Sequence, residues 1–574
     1  MLRLALIPLV LIGLLAGAMV WSGQGTQDRA DFAFVLKGDH VTLDLNNMSY
    51  GIDIRVANAL WEGLYALNPA TRVPELATAD KVDVSDDRRV YTFHIRDSAR
   101  WSNGDKVTAG DFLFEWRRML ETPREYTYLH HYIKGAEAYE AAYATYAKAP
   151  KDHKPPLPDF GTVGERVNPD GTLRLELTNP VPFLPALMAF VPFYPMHERS
   201  MAEFRQWDPV TGQVTYDPRF TQPPHLVTNG PFRLDAWLFK RRLRMVATDT
   251  YWDRAHVRSR TIDEVRADDA LAAYRLYQQG DVDWLNDVDP DLAAPMLKQH
   301  RPDLHVFPSF GTSYYELNCM PKLSDGRENP LADVRVRQAL AMVIDKQQIV
   351  DNVGRLNQPV AGAFIPVGVF KGYVSPPGLP YDVARAKQLL AEAGYPNGRG
   401  FPQLSILYGS EAAINADTAT IIRRQWADHL GINVDPNAVE NKQAAADLSH
   451  QRYSIGRAAW TGDYYDPSTF TDKYLSTADN NAAKWADPTY DGLCAKAASE
   501  PDPAKRLQLY HDAEARMLDQ CPIIPLYTFV GSYLYRPEVH GITPNALGAV
   551  LFKAVWTDHG AATASSATAG GGTR

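Results

Sequence analysis

One stretch gathers the residue types that could do chemistry: Arg457-Ala458-Ala459-Trp460-Thr461-Gly462-Asp463-Tyr464-Tyr465-Asp466-Pro467. The apolar run Ile455 to Trp460 reads as a strand with Arg457 inside it. Thr-Gly-Asp does not extend a buried strand comfortably, so the strand ends there and holds Asp463 among aromatic neighbours. In a closed, mostly apolar pocket a fixed carboxylate demands a cationic partner. The α-amino group of a ligand is one candidate. An Asp that caps the turn before the next helix is the plainer alternative. Trp460 and Tyr464 can be core or pocket lining, because aromatic side chains do both. Tyr314 and Tyr315 alternate on a strand, so only one of them can face a cleft.

Other chemistry is thin. The chain has no HExxH, no GxSxG, no P-loop pattern and no GxGxxG after a strand. His130 and His131 are adjacent, which cannot bring both rings to one metal from one helix face, so they read as surface residues. Cys319, Cys494 and Cys521 have neither CxxC spacing nor paired histidines, which rejects a zinc site. An exported protein could pair two of them and leave one. No metal or cofactor is expected, and the balance moves from enzyme to binding.

With 574 residues the chain can hold two or three lobes with large cores. A net charge of -9 without any long Lys/Arg run argues against a nucleic-acid partner. A mean hydropathy of -0.31 excludes a polytopic membrane protein. The amino terminus differs. Leu4 to Trp21 is 18 residues without charge, preceded by Arg3. That is the lower limit for a membrane span. It also reads as a signal peptide with Ala16-Gly17-Ala18 as its cleavage site. Either reading sends the chain through a membrane, and no Cys lies near enough to carry a lipid anchor.

The elements that must position Asp463 follow from periodicity. After a polar linker to Arg29, Phe32 to Leu36 reads as a strand, and Ile54 to Leu64 has helical spacing in Val56, Leu60 and Leu64. Val90 to Ile95 and Leu173 to Leu177 alternate as strands. Thr108 caps a helix over Phe112 to Leu120. Tyr139 to Lys154 reads as an exposed helix and loop. From about Pro308 the style changes. Helices at Asp333–Asp345, Asp382–Ala393, Thr418–Leu430 and Lys505–Asp519 alternate with strands at Phe401–Tyr408, Ile432–Val434 and Ile523–Tyr527. This alternation predicts an α/β lobe with a largely parallel sheet. Ala561 to Gly572 is a small-residue tail expected to be disordered.

Several segments together resemble the oligopeptide- and dipeptide-binding family of ABC importer substrate-binding proteins, family 5. They are, in order, Leu60-Trp61-Glu62-Gly63-Leu64, Tyr91 to Arg96, Trp101-Ser102-Asn103-Gly104, and Val107 to Phe112. Thr228-Asn229-Gly230-Pro231-Phe232, Tyr251-Trp252-Asp253, Asp333 to Arg337 and Leu389 to Tyr395 complete the set, which spans about Asp31 to Trp556. The resemblance implies a periplasmic binding protein-like α/β fold (class II, cluster C), with two lobes, a hinge and an extra insertion domain. Residues 1–21 are then signal peptide or anchor, 22–30 linker, 31–60 the first part of lobe I and 61–194 the insertion domain. The second part of lobe I is 195–303, the α/β lobe 304–524, the third part of lobe I 525–556 and the disordered tail 557–574. The crossings near Phe310 and Leu526 would be the hinge.

The family binds peptides extended, by main-chain pairing to strand edges. Carried onto this sequence, Asp463 holds the peptide's amino end. Ala459 and Thr461 pair with its backbone, and Arg457 meets its carboxylate or balances Asp463. Ser49-Tyr50-Gly51 corresponds to a lobe I strand that pairs with the peptide, and Tyr126 to a ligand-contacting tyrosine. Tyr315, Trp460 and Tyr464 complete the candidate site. The oligopeptide branch has an acid where Ser49 stands, a Trp near Asn441, a second Arg near Leu448 and a Tyr near Phe529, and all four are replaced here. The expected function is a monomeric receptor in the periplasm or on the outer face of the cytoplasmic membrane. It would deliver small peptides to an ABC permease and its ATPase subunits, and would be tied to the membrane if the amino-terminal segment is retained. An anchored peptide sensor or scavenger uncoupled from transport is the alternative.

Overall fold

A computed structural model describes residues 29–37, 40, 42–69, 71–150, 153–208, 214–545 and 550–559. The expected signal or anchor and most of the carboxy-terminal tail lie outside the described residues. Among those residues no helix is long and apolar enough to cross a membrane.

One ten-stranded sheet organises the chain. In chain order, β1 is Phe32–Lys37, β2 Phe232–Leu238, β3 Arg242–Ala247, β4 Thr261–Ala267 and β5 Trp284–Leu285. Then come β6 Leu304–Leu317, β7 Leu404–Gly409, β8 Val434–Val439, β9 Ile455–Thr461 and β10 Ile523–Tyr535. Across the sheet they run β2-β3-β4-β1-β5-β10-β6-β9-β7-β8. The central strands such as β1 are covered on both faces, which is why they read as near-continuous apolar runs. Phe32 and Phe34 enter one cluster, while Ala33 and Val35 enter another on the opposite face. Tyr315 and Tyr314 divide the same way further along.

The long strands β6 and β10 serve both halves of the sheet. Leu304 to Pro308 pairs with Val530 to Leu534, and Thr312 to Glu316 with Ile523 to Thr528, with a register shift between Pro308 and Thr312. Gly311 sits in that break. A Cβ there would lie 2.8 Å from both the Phe529 ring and the Trp460 carbonyl oxygen. The second half is mixed rather than largely parallel. β7 is parallel to β8 and β9, but β6 is antiparallel to β9 and β10. The two crossing strands impose this, because they close each half with an antiparallel pair.

A separate four-stranded antiparallel sheet is built from Ala79–Val84, Val90–Ile95, Leu173–Glu176 and Glu165–Val167. Helix α1 is Gly51–Leu60, α2 Ala109–Glu121 and α3 Ala136–Lys148. α2 begins in the expected capping box between Thr108 and Asp111. α3 is not the exposed helix expected, since Tyr139 and Tyr143 are buried and the Tyr139 hydroxyl donates to Glu121 at 2.8 Å. His130 also corrects a surface reading. It is fully buried against Phe193, and burial pushes its pKa down to about 3. All three cysteines are free thiols, so no pair forms. Thr557, expected to open the disordered tail, pairs instead with Val539.

Three of the scattered sequence motifs, those of Glu62, Asn229 and Tyr251-Trp252, meet at the end of α1. Asn229 accepts the Glu62 backbone N–H at 3.1 Å and donates to the Glu62 carbonyl at 2.8 Å. Gly230 donates to the Leu60 carbonyl at 2.8 Å, and a Cβ on it would lie 2.5 Å from the Leu60 carbonyl carbon. The Glu62 carboxylate accepts from the Tyr251 hydroxyl and from Trp252 Nε1 at 2.6 Å. At its other end α1 is tied to β4 through His40, whose ring nitrogens meet Asp53 at 2.9 Å and Glu264 at 2.5 Å. Burial alone would lower the His40 pKa, but the two carboxylates hold it up at about 9. Asn229→Ala is expected to cost about 2–3 kcal/mol, since buried backbone groups lose their partner. Urea denaturation measures it, and an unchanged midpoint would remove Asn229 from the account of how α1 is placed.

Candidate functional site

β9 prepares the site by leaving one edge open. On one side it pairs with β6 along its whole length, from Leu317 with Ile455 to Gly311 with Thr461. On the other side β7 reaches only Ile455 and Gly456. From Arg457 to Thr461 that second edge has no strand partner among the described residues. Ala458 and Trp460 face an aromatic cluster, whereas Ala459 and Thr461 are exposed. The strand ends because Gly462 passes directly over Phe310. A Cβ there would lie 2.2 Å from that ring, and the Gly462 N–H donates to the Phe310 carbonyl at 2.9 Å.

The loop that follows separates two acids. Asp466 takes the structural role: it accepts the Ser468 N–H at 3.0 Å and receives both Arg506 terminal nitrogens at 2.6 and 2.7 Å. Both partners of this pair are about 7% exposed. The turn-capping role considered for Asp463 thus belongs to its neighbour. Asp463 is held through its backbone N–H, which donates to Thr469 Oγ1 at 2.9 Å, leaving the carboxylate to the cavity. Tyr464 is buried and stacks on Phe183 with centroids 5.1 Å apart.

The Asp463 carboxylate accepts the Tyr128 hydroxyl at 3.3 Å, and no cation pairs with it among the described residues. Burial pushes its pKa up to about 6. Hydrogen bonds from Tyr128 and Tyr126 work against that rise, and Glu125 adds repulsion. Asp463 opens into a cavity of about 500 Å³ between the end of β9, one face of α1, the Glu125–Tyr126 turn and the 550–553 segment. That volume falls in the range of ligand sites, roughly 300–1,000 Å³.

Six of the candidate residues come together here: Ser49, Gly51, Tyr126, Thr461, Asp463 and Tyr464 line the cavity. Ser49 and Gly51 do so differently from expectation. They form the approach and first turn of α1, not a strand, because Val56, Ala57 and Leu60 bury a helical face. Arg457, Ala459, Trp460 and Tyr315 are not in its wall. Tyr315 is fully buried, since both faces of β6 are covered. Trp460 packs inward and donates to the Thr469 carbonyl at 2.8 Å. Arg457 is half-buried with no ion pair among the described residues. It cannot balance Asp463, because it precedes Thr461 by about 13 Å of strand. Sequence reasoning missed Arg55 and Asn58, which line the cavity with Gly51 and Ile54. Their helical spacing was the available signal.

A family model described as "Bacterial extracellular solute-binding proteins, family 5 Middle" matches residues 71–482. The chain belongs to this family. It is therefore a solute-binding protein and not an enzyme. The oligopeptide-binding protein OppA of Bacillus subtilis is 31% identical over 519 residues, 87% of each chain. The periplasmic murein peptide-binding protein MppA of Escherichia coli is 28% identical over 544 residues, 93% of this chain and 94% of the relative. A probable deoxycholate-binding periplasmic protein of the same organism is 27% identical over 522 residues, 89% of this chain and 90% of that one. The unliganded open form of an MppA murein tripeptide-binding protein superposes with a TM-score of 0.74 at 26% identity, covering 92% of this chain and 98% of that chain. The family 5 chain thus has the mixed α/β fold of cluster C periplasmic binding proteins.

The two acids of the loop are expected to differ in their effect on stability. Asp466→Asn leaves the Arg506 charge buried and uncompensated, and should cost about 3–5 kcal/mol. Asp463→Asn removes a carboxylate whose folded pKa lies above its unfolded value, so its ionised form weakens the fold above pH 6. That variant should melt at or above the wild-type temperature at pH 7.5, with the difference vanishing near pH 4. Scanning calorimetry at the two pH values decides it, and a large loss in Asp463→Asn at pH 7.5 contradicts the assignment.

Proposed function

We propose that this family 5 protein is an extracytoplasmic receptor that binds extended oligopeptides between two lobes and delivers them to an ABC permease. The observation that carries the reading is Asp463. A carboxylate with no cationic partner among the described residues stands at the end of an open strand edge and lines the cavity. A peptide's ammonium supplies the missing cation, and its backbone supplies the missing strand. Every peptide has both groups, so this recognition tolerates varied side chains. Arg457 lies farther along the same edge, where a longer peptide's carboxylate would arrive. The peptide-binding names of the relatives support the reading, as does the Listeria monocytogenes OppA bound to peptide, similar at 26% identity over 92% of this chain and 99% of that one, with a TM-score of 0.69. In this reading residues 61–194 form an insertion on lobe I. The lobes close by bending of β6 and β10 where their register shifts.

Titration calorimetry with trialanine and N-acetyl-trialanine tests the anchor. The free peptide should bind and the acetylated one should lose about 2–5 kcal/mol, as should free peptide with Asp463→Ala. Equal binding of the two peptides sinks the assignment. Binding of deoxycholate with no response to any peptide sinks the peptide reading as a whole.

The pH profile is a further check. Empty Asp463 titrates near 6, and a bound ammonium holds it ionised. Binding below pH 6 must then expel a proton. Affinity should be full between about 6 and 8, where the carboxylate is charged and the amine protonated. It should fall by up to about tenfold per unit below that window. Asp463→Asn should lose the acid limb, and a wild-type profile flat from pH 4.5 to 7 would contradict it.

A further inference from the structure

The cavity wall holds a second charge that has no counter-charge among the described residues, and it is positive. Arg55 lines the cavity from α1. Its guanidinium lies 5.6 Å from the Trp284 ring centroid, and its buried Nε has no hydrogen-bond partner. No carboxylate pairs with it among the described residues. Trp284 packs edge-on against Tyr533 with centroids 5.1 Å apart. Trp284 Nε1 and the Tyr533 hydroxyl are likewise buried and unpartnered. Arg72 approaches the same phenol from another loop. It is 9% exposed, its Nε and Nη1 are unpartnered, and Nη2 reaches only the Thr543 carbonyl at 3.5 Å. Burial pushes the Tyr533 phenol up to about 12, while Arg55 and Arg72 pull it back, so both cations act on one hydroxyl.

The other charges around these groups are engaged. Glu62 accepts from Tyr251 and Trp252, and Lys553 reaches Asp253 at 3.3 Å. Asp287, which also acts on Tyr533, is bound by Lys37 at 2.6 Å with its side chain 69% exposed. Glu125 stands beside Asp463 at the ammonium end. What remains is two guanidiniums, an indole N–H and a phenol. All can donate, and among the described residues the one acceptor that meets them is the Thr543 carbonyl, 3.5 Å from Arg72 Nη2. Buried cations are stable when an anion meets them with hydrogen bonds. The guanidinium fork matches a carboxylate in two parallel bonds.

We propose that Arg55, backed by Arg72, forms an anion subsite for a carboxylate of the bound peptide, so that the preferred ligand carries negative charge as well as its ammonium. This rests on the peptide reading above. The carboxylate is either the peptide's own terminus or an acidic side chain. It lies apart from Arg457, which stands outside the cavity wall.

The test is calorimetric titration of the ligand-stripped protein with two matched pairs: trialanine against trialaninamide, and Ala-Glu-Ala-amide against Ala-Gln-Ala-amide. In wild type one pair should differ by about tenfold or more in favour of the carboxylate. The responding pair identifies the source. Arg55→Met should bring that ratio to within about twofold, Arg55→Lys should keep part of it, and Arg72→Gln should lower it. Equal affinities within both pairs overturn the subsite, as does an Arg55→Met variant that weakens all four peptides by one factor. In those cases amide binding to wild type leaves the peptide reading standing. If no peptide binds, that reading fails and glutarate, which has no amine, decides the subsite. A rise in melting temperature in wild type but not in Arg55→Met supports it, and no shift in either overturns it.

Discussion

The two-pronged contact between Asp466 and Arg506 is the interaction on which the site depends. A loop that carries two acids three residues apart must satisfy one of them internally, or it would not hold its shape. Asp466 meets a guanidinium out of water, with both oxygens engaged. That contact fixes the loop after β9. Thr469 then fixes the Asp463 backbone. Only because the loop is secured by other groups can Asp463 keep its carboxylate free of cations and raised toward 6. Such an arrangement weakens the fold locally and keeps a charge available for something that arrives later.

The same separation of duties runs through the sheet. β6 and β10 are long enough to belong to two sets of neighbours, and they change register between them. Either half therefore completes its own core. The cavity lies where the halves meet, and no single half provides its wall. Phe183 and Tyr128 come from the region of the small sheet, yet they touch Tyr464 and Asp463 at the end of β9. The carboxylate proposed to select a ligand therefore also touches the part of the molecule that faces it. The cavity is lined by Asp463 from the end of β9 and by Arg55 from α1. A ligand with both charges would satisfy both.

Much of this was legible beforehand. The strand over Ile455 to Thr461, its arrest at Gly462 and the placing of Asp463 at its end follow from strand chemistry within a few residues. The family resemblance followed from the order of short motifs. Why those motifs exist did not. Glu62, Asn229 and Tyr251 lie far apart in the chain, and only folding makes them one hydrogen-bonded group at the end of α1. The strand that the family resemblance implies for Ser49 to Gly51 is instead the approach and first turn of α1, because Val56, Ala57 and Leu60 bury a helical face.

The sequence by itself determined the family, the α/β class, the strand bearing Asp463 and the absence of catalytic motifs. These depend on local periodicity, turn chemistry and the order of motifs, all of which lie along the chain. Tertiary structure decided which acid is paired, which edge of β9 stays open and which residues share a cavity. It put Tyr315 in the core, left Arg457 outside the wall and brought Arg55 into it. Those outcomes depend on which surfaces are covered from both sides and where a counter-charge lies in space. Local sequence carries neither, because the groups that decide them lie from 40 positions away, as Arg506 does from Asp466, to 335, as Tyr128 does from Asp463.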